Sequence, residues 1–407
     1  MRLLDTDEWN KRYRKAIKAM QQRMTKVKGV VAAFNTNIDA VIRLKSGLLN
    51  RILNDATLAK KVLSALEKPS GEIVSVEDLF VGLLESLRTG IAEEWMIRNR
   101  NIVHWLESTF RDSSIRMGGQ AGIIANTLAK LGISNVIAHA SSLPVEQTAL
   151  FLQNVKIPVR KNKKIVFERP KNATRPFDEK MVHYVFDFQQ GIEVTIEKTR
   201  FKSPRANKFV ATWDPRNSEL QIDRAFSKMS ILHIADRAAI SGYHLLRSEY
   251  EDGCTIIDKI MPTVELLRKW KEGQADFFIH LETGDSKYEE AYASALKMVT
   301  PQIDSIGLNE NELVKLSSAL GFPSLEIEEL YCVVNLFETA IKLRETLMVP
   351  IILIHTMDFT FCISNKARMT LARAEAIQDG IFLGASLAAA RAITSNFNDS
   401  TIIKKDV

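Results

Sequence analysis

The spacing of apolar positions changes period several times along the chain, and each change marks an element. Between 8 and 27, Trp9, Tyr13, Ile17 and Met20 recur at helical spacing among Lys and Arg residues, which predicts a basic amphipathic helix. The unbroken apolar run Val30-Val31-Ala32-Ala33-Phe34 after Gly29 predicts a buried strand. Helices are expected over 57–67, from Val76, through a long stretch over 91–110, and over 120–131, with a strand over 135–140. From about 155 to 214 the pattern shifts to short alternating runs over 164–167, 181–188 and 209–213, separated by charged loops. This reads as a β-rich insertion, the kind of lid that excludes water during transfer chemistry. From Ile231 the βα alternation resumes, with strands over 231–234, 276–280, 303–307 and 350–355 and the clearest helix over 327–347. Near the C-terminus, the stretch from Glu375 through Asp379-Gly380 to Ala390 reads as a carboxylate and a glycine opening a helix of small apolar residues.

The ends of the apolar runs are polar, and open α/β sheets bind ligands at the carboxyl ends of their strands. Asn35-Thr36-Asn37-Ile38-Asp39 supplies donors and acceptors suited to sugar hydroxyls. Later strand ends carry Asp236-Arg237, His280-Leu281-Glu282, Asn309-Glu310-Asn311-Glu312 and His355-Thr356-Met357-Asp358, which predicts one continuous site along the sheet edge. Gly118-Gly119 ahead of Gln120 lets the backbone approach a ligand where a helix opens. A helix start at 376–379 would favour a phosphate, and Asp379 there would be placed to take a proton. Each feature has a plainer reading as well. Asx residues close turns, diglycines precede many helices, Glu312 and His280 serve as ordinary surface and strand-end residues, and an aspartate caps a helix.

Composition narrows the classes. With 46% hydrophobic and 26% charged residues among 407, the chain has room for two domains or one large domain with an insertion. The net charge of +6 is scattered apart from Arg160-Lys161-Asn162-Lys163-Lys164, so no nucleic-acid partner is expected. Cys254, Cys332 and Cys362 form no CxxC pair and suit a reduced compartment. No apolar run reaches the roughly 18 residues of a membrane span, and the N-terminus lacks an apolar signal core; a cytoplasmic protein with no membrane partner, and a monomer, is expected.

Taken together, the motifs resemble the archaeal ADP-dependent glucokinase and phosphofructokinase family, a branch of the ribokinase-like sugar kinases. The resemblance covers roughly 30–390. It rests on the order of Asn35-Thr36-Asn37-Ile38-Asp39, Gly118-Gly119-Gln120-Ala121-Gly122 with Asn126, Ile240-Ser241-Gly242-Tyr243, His280-Leu281-Glu282, Asn309-Glu310-Asn311-Glu312 and His355-Thr356. It implies an α/β, ribokinase-like large domain with a mostly parallel sheet flanked by helices, plus a smaller β-rich lid. The expected bounds are 1–36, 113–155 and 215–407 for the large nucleotide-binding domain, and 37–112 and 156–214 for the lid. By resemblance, Asn35, Asn37, Asp39, Gly118, Gly119, Gln120 and Asn126 would meet the sugar. His280, Glu282 and Glu312 would position Mg2+, largely through water. Asn309, His355 and Thr356 would lie by the nucleotide. Lys208 stands where the family carries an arginine that reaches the nucleotide phosphates, keeping the charge without the fork.

Asp379 matches the catalytic base of the family's GxGD pattern, but the anion-hole positions read Ala376, Ile377 and Gln378, with both glycines gone. Glu72 stands where glucose-using members carry a carboxylate, and His183 in Val182-His183-Tyr184 resembles the glucokinase pattern. Lys161, Lys163, Lys164, Arg169, Lys171 and Arg175 would instead suit a sugar phosphate. The expected function is an ADP-dependent sugar kinase that passes the β-phosphoryl of Mg-ADP to a sugar hydroxyl and releases AMP, with a glucose-type acceptor favoured. The alternatives are a kinase of fructose 6-phosphate or ribose 1-phosphate, and a catalytically weakened relative that binds nucleotide or sugar.

Overall fold

The computed structural model of the chain describes residues 5–323 and 332–394. In chain order the regular elements begin α1 (Thr6–Met24), β1 (Val30–Ala33), β2 (Asn37–Arg43), α2 (Ser46–Ile52), α3 (Ala56–Leu66), β3 (Glu72–Ile73), α4 (Val76–Thr89), β4 (Glu93–Ile97) and α5 (Arg100–Thr109). There follow β5 (Ser114–Gly118), α6 (Gln120–Lys130), β6 (Val136–Ala138), α7 (Val145–Leu150), β7 (Val155–Lys161), β8 (Lys164–Glu168), β9 (Val182–Phe188), β10 (Glu193–Ile196), β11 (Thr199–Lys202) and β12 (Asn207–Trp213). The last are β13 (Arg237–Ile240), α8 (Ile256–Gly273), β14 (Phe278–Glu282), α9 (Glu289–Val299), β15 (Ser305–Leu308), α10 (Glu310–Ala319), α11 (Val333–Thr346), β16 (Ile351–His355), β17 (Thr360–Ser364) and α12 (Leu371–Thr394). The chain divides into two compact units, one of residues 1–36, 119–176 and 216–407, the other of residues 37–118 and 177–215.

The larger unit is built on a nine-stranded sheet ordered β17-β16-β15-β14-β13-β1-β6-β7-β8. The strands run parallel except for the antiparallel edge pairs β16–β17 and β7–β8. β1 is buried at every position because it lies between β13 and β6 with both faces covered, which is why its sequence is continuously apolar. Trp270, Phe277, Phe34, Tyr243 and Phe226 pack into the core on this sheet. The smaller unit carries a six-stranded mixed sheet, β3-β4-β12-β9-β2-β5, and the hairpin β10–β11. Its aromatic core stacks Phe110 edge-on to Phe186 at 5.3 Å and Trp95 edge-on to Phe209 at 5.9 Å. The α/β class, the mostly parallel sheet flanked by helices and the smaller β-rich unit are as expected. Among the described residues no helix is long and apolar enough to cross a membrane.

Several elements differ from expectation. The run 231–234 is not a strand. Ile234 N–H bonds back to Ile231 O at 3.1 Å, closing a short 3-10 turn, and the strand starts at Arg237. Asp236-Arg237 therefore sits at the amino end of β13 and leaves the carboxyl-edge set. The long helix expected over 91–110 is broken by β4, because Gly90 ends α4 in the left-handed region and Trp95 and Ile97 alternate inward as strand residues. The helix expected over 327–347 is seen as α11, and 327–331 lie outside the described residues. Residues 156–176, expected in the lid, belong to the larger unit because β7 pairs parallel with β6. Residues 113–118, expected in the large domain, belong to the smaller unit because β5 pairs with β2.

Candidate active site on the carboxyl edge of the large sheet

Two residues apart on β14, His280 and Glu282 point to the same face. His280 Nε2 lies 3.2 Å from Glu282 Oε2, and His355, the last residue of β16, places Nε2 3.3 Å from Glu282 Oε1. One carboxylate is thus clamped between two imidazoles. The second nitrogen of His280 meets the Ser305 hydroxyl at 2.8 Å, on the strand paired in register with it. Both ring nitrogens are engaged, so His280 orients Glu282 rather than standing open as a ligand. Gly307 beneath them leaves room for the carboxylate, since a Cβ there would lie 2.4 Å from Glu282 Oε2 and push it aside. Burial pushes the Glu282 carboxyl up, but the His280 bond and the His355 charge outweigh it and hold the group below its ordinary value.

Asn309 opens α10 as its N-cap. Its Oδ1 accepts from Glu312 N at 2.8 Å, and Glu312 Oε2 accepts from Asn309 N at 3.0 Å, a reciprocal capping box. Thr283 holds its hydroxyl 2.8 Å from the same Glu312 oxygen. Burial pushes the Glu312 carboxyl above its ordinary value, the Asn309 and Thr283 bonds only partly offset it, and the charge of Glu282 adds to the rise. Among the described residues no three His, Cys, Asp or Glu side chains converge as a metal cage. One ionised carboxylate beside one desolvated carboxylate fits a cation that keeps most of its waters. Thr356 is engaged in its own turn, accepting from Phe359 N at 3.0 Å and donating to Phe359 O at 2.9 Å.

At the carboxyl end of β1, Asn35 lends its backbone oxygen to Ala121 N at 3.0 Å, at the opening of α6. Gln120, first in that helix, donates through Nε2 to Thr283 O. The Oδ1 of Asn35 and the Oε1 of Gln120 are buried without hydrogen-bond partners among the described residues. Such acceptors call for a donor, and ligand hydroxyls supply one. Gly119 takes φ 72 to turn the chain into α6. Asn126 is differently employed. Both ends of its amide tie down the segment after α7, to Leu150 O and Leu152 N at 2.9 Å each, so it braces the fold and faces no ligand.

The smaller unit holds its own polar group. Asn37 Nδ2 donates to Asp39 Oδ1 at 3.1 Å, its Oδ1 is buried without a partner among the described residues, and Gly118 on the paired strand leaves room for both. Burial raises the Asp39 carboxyl although His183 and Arg116 oppose it. His183 Nε2 donates to the buried Asp214 at 3.0 Å, and Glu94 lies 3.9 Å from Nδ1. Burial works against a charge on His183, but Asp214, Glu94 and Asp39 prevail and push it up to about 9, so an imidazolium stands there at neutral pH. Glu72 accepts from Arg98 Nη2, and Lys208 is exposed on β12. Arg98, Asp214 and Glu94 carried no sequence signal, because their partners are distant in the chain.

The largest correction falls on Asp379. α12 begins at Leu371, with Thr370 Oγ1 accepting from Arg373 N at 3.2 Å. Ala376, Ile377 and Gln378 lie inside that helix, where their amides bond to carbonyls four residues back, so no helix start opens there. The run Leu371-Ala372-Arg373-Ala374-Glu375-Ala376 holds strong helix formers and no glycine or proline to stop it. Asp379 Oδ2 accepts from Arg23 Nη1 of α1. Arg23 was absent from the sequence reading.

A basic cleft of about 1150 Å³ opens on the larger unit beside the β7–β8 hairpin. Its lining includes Arg160, Lys161, Lys163, Lys164, Arg175, Arg224 and Lys228. Asp223 is the one carboxylate among the lining residues, and it is held by Arg175 Nη1 at 2.6 Å. Lys161 pairs with Glu168 at 2.7 Å, while Arg160, Lys163, Lys164, Arg224 and Lys228 have no carboxylate partner among the described residues. Arg224 and Lys228 extend the basic run seen in the sequence. Arg169 and Lys171 do not line the cleft.

Residues 28–406 match the conserved region of ADP-specific phosphofructokinase/glucokinase. The chain is 27% identical to the ADP-specific phosphofructokinase of Methanosarcina acetivorans over 97% of its length and 82% of that protein. It is 29% identical to the ADP-dependent glucose/glucosamine kinase of Pyrococcus furiosus over 98% of its length and 84% of that protein. Among solved structures it superposes with a TM-score of 0.80 and 28% identity on an ADP-dependent kinase in complex with fructose 6-phosphate and ADPβS, covering 98% of this chain and 82% of that one. The last common ancestor of ADP-dependent phosphofructokinases from Methanosarcinales gives a TM-score of 0.81 at 29% identity, with 98% and 83% covered.

Proposed function

Because the chain belongs to the ADP-specific phosphofructokinase/glucokinase family, we propose that it transfers the β-phosphoryl of ADP to a sugar that already carries a phosphate, of the fructose 6-phosphate class. The observation that carries this choice is the basic cleft, whose five cations without carboxylate partners suit a phosphate dianion. The carboxylate that favoured glucose, Glu72, is bound by Arg98. In this reading the acceptor hydroxyl loses its proton to Asp379 and attacks the β-phosphorus. The bond to the bridging oxygen breaks, and AMP leaves with the electron pair. Asn35 and Gln120 offer acceptors to sugar hydroxyls. Glu282 and Glu312 would hold the magnesium of Mg-ADP through its waters, and that ion supplies charge neutralisation on the phosphates.

The test is AMP release from ADP with fructose 6-phosphate and with glucose in parallel. Fructose 6-phosphate is the expected substrate, and the double change Lys163→Glu with Arg224→Glu should raise its KM about tenfold or more while the protein stays folded. Faster turnover of glucose, or an unchanged KM, overturns the reading. A second reading is favoured by the interior position of Asp379 in α12: a protein that binds ADP and sugar without transfer. It predicts thermal stabilisation by both ligands and no AMP.

A further inference from the structure

We propose that Ser305 is a positioning residue for Mg-ADP: its hydroxyl donates to His280 Nδ1 and so fixes the ring with Nε2–H turned to Glu282. This rests on the reading above, in which Glu282 helps hold the magnesium of Mg-ADP through its waters. β14 and β15 run parallel, with His280 paired to Ser305 and Glu282 paired to Gly307, so all four positions share one face. Ser305 is buried, and its Oγ lies 2.8 Å from His280 Nδ1. The hydroxyl has no second partner among the described residues. If Nδ1 carried the proton and donated to Oγ, the hydroxyl proton would be left buried with no acceptor, which folded proteins avoid. The hydroxyl is therefore the donor. The other side of the ring agrees. An ionised carboxylate only accepts, so at 3.2 Å from Glu282 Oε2 the Nε2 of His280 carries a proton. Two neighbours select one tautomer.

The tautomer matters because packing from β15 does not hold Glu282. Its paired residue there, Gly307, has no side chain, and the carboxylate is gripped by two imidazoles. Of these, His280 is braced from behind by Ser305, whereas the side chain of His355 bonds to Glu282 alone among the described residues. A ring in the other tautomer would turn a bare lone pair toward Glu282, and the carboxylate would swing into the space over Gly307. The chain from Ser305 through His280 to Glu282 thus sets where one carboxylate meets the hydrated cation. Removing an outer partner of this kind costs about 10–100-fold in metal affinity.

The test uses two pairs that differ by the hydroxyl: wild type against Ser305→Ala, and Ser305→Thr against Ser305→Val. Calorimetry of ADP binding is run with magnesium and again with EDTA. Magnesium should tighten binding to the wild type and to Ser305→Thr, and Ser305→Ala and Ser305→Val should lose about tenfold of that gain. Binding in EDTA and the melting temperature should hardly change in Ser305→Ala. A merely structural role would weaken both conditions alike, so an equal loss in both, or no loss, overturns the proposal. A second readout needs no metal. Ring 15N shifts, with His280 assigned by its disappearance in His280→Gln, should show Nε2–H and a bare Nδ1 in the wild type and a mixture of tautomers in Ser305→Ala. A wild-type ring protonated at Nδ1, or identical spectra, overturns it. If magnesium adds nothing to ADP binding by the wild type, the magnesium reading itself fails, and the ring spectra still decide whether Ser305 sets His280.

Discussion

Two parts of the larger unit are set up in opposite ways. At the carboxyl edge, Glu282 is held from both sides by His280 and His355, and Glu312 is fixed by the cap it shares with Asn309. Every partner there lies within its own turn, on its own strand or one to two strands away in a buried parallel sheet. On α12, Asp379 has no such local frame: its neighbours are ordinary helix residues, and its position depends on an arginine 356 residues away in sequence. The first region is held by local geometry, the second by contacts distant in sequence: Phe382 against Tyr13 and Trp9, Arg391 on Thr127 and Arg23 on Asp379. Chemistry built on the second region is correspondingly easy to alter by a single substitution.

The sharpest way to break this contrast is Asp379→Asn. If Asp379 takes the acceptor proton, kcat should fall by about 10²–10⁴-fold, the usual contribution of a positioned base. Calorimetric binding of ADP and of fructose 6-phosphate should persist, because the carboxyl edge is untouched. Retained turnover would remove α12 from the site altogether.

That contrast also explains what could be read in advance. The strand ends from β14 to β16 were legible because the HxE, NxxE and His-Thr patterns combine strand period with a cap, both local properties of sequence. The βα order followed from the same periodicities, as did the strands over 181–188 and 209–213 of the smaller unit, while its 37–112 part was expected only from the resemblance. The misplaced strand at 231–234 failed because so short a run, three apolar residues and a histidine, satisfies a 3-10 turn as well as a ladder. The helix start at Asp379 failed because a strong helix-forming run upstream carries α12 two turns earlier than the acidic residue suggested. Arg23, Arg98 and Asp214 were invisible, since no local rule pairs residues so far apart.

A smaller effect separates the two carboxylates of the edge by sign. The Glu282 carboxyl is held below its ordinary value, so its stabilisation is present at neutral pH and is lost as the pH falls through that lowered value. The Glu312 carboxyl is raised, so its stabilisation is complete below the ordinary glutamate range and is lost as the pH rises through the raised value. Glu312→Gln keeps the capping box and should raise the melting temperature at pH 7 while leaving it little changed at pH 4. Glu282→Gln should lower it at pH 7 and flatten the acid limb. Melting curves of the two variants across that range check both signs. Parallel shifts would mean that the two carboxylates share one environment.

The gentlest comparison puts the same change into both regions. In α12, Gly384 is helical and exposed, and a Cβ there would meet nothing within 4 Å. Gly384→Ala should therefore stabilise the protein by about 0.5–1 kcal/mol and leave activity alone, since a helix interior gains from losing glycine. In β15, a Cβ at Gly307 would meet Glu282 Oε2 at 2.4 Å and His280 Cε1 at 3.1 Å. The carboxylate is the free end of a side chain and can move, so Gly307→Ala should disturb function more than folding. It should weaken binding of Mg-ADP severalfold, with at most a modest fall in melting temperature. If Gly384→Ala instead abolished turnover, α12 would have to admit a ligand at its surface near Gly384. The contrast between a locally framed edge and an open helix would then fail at its last point.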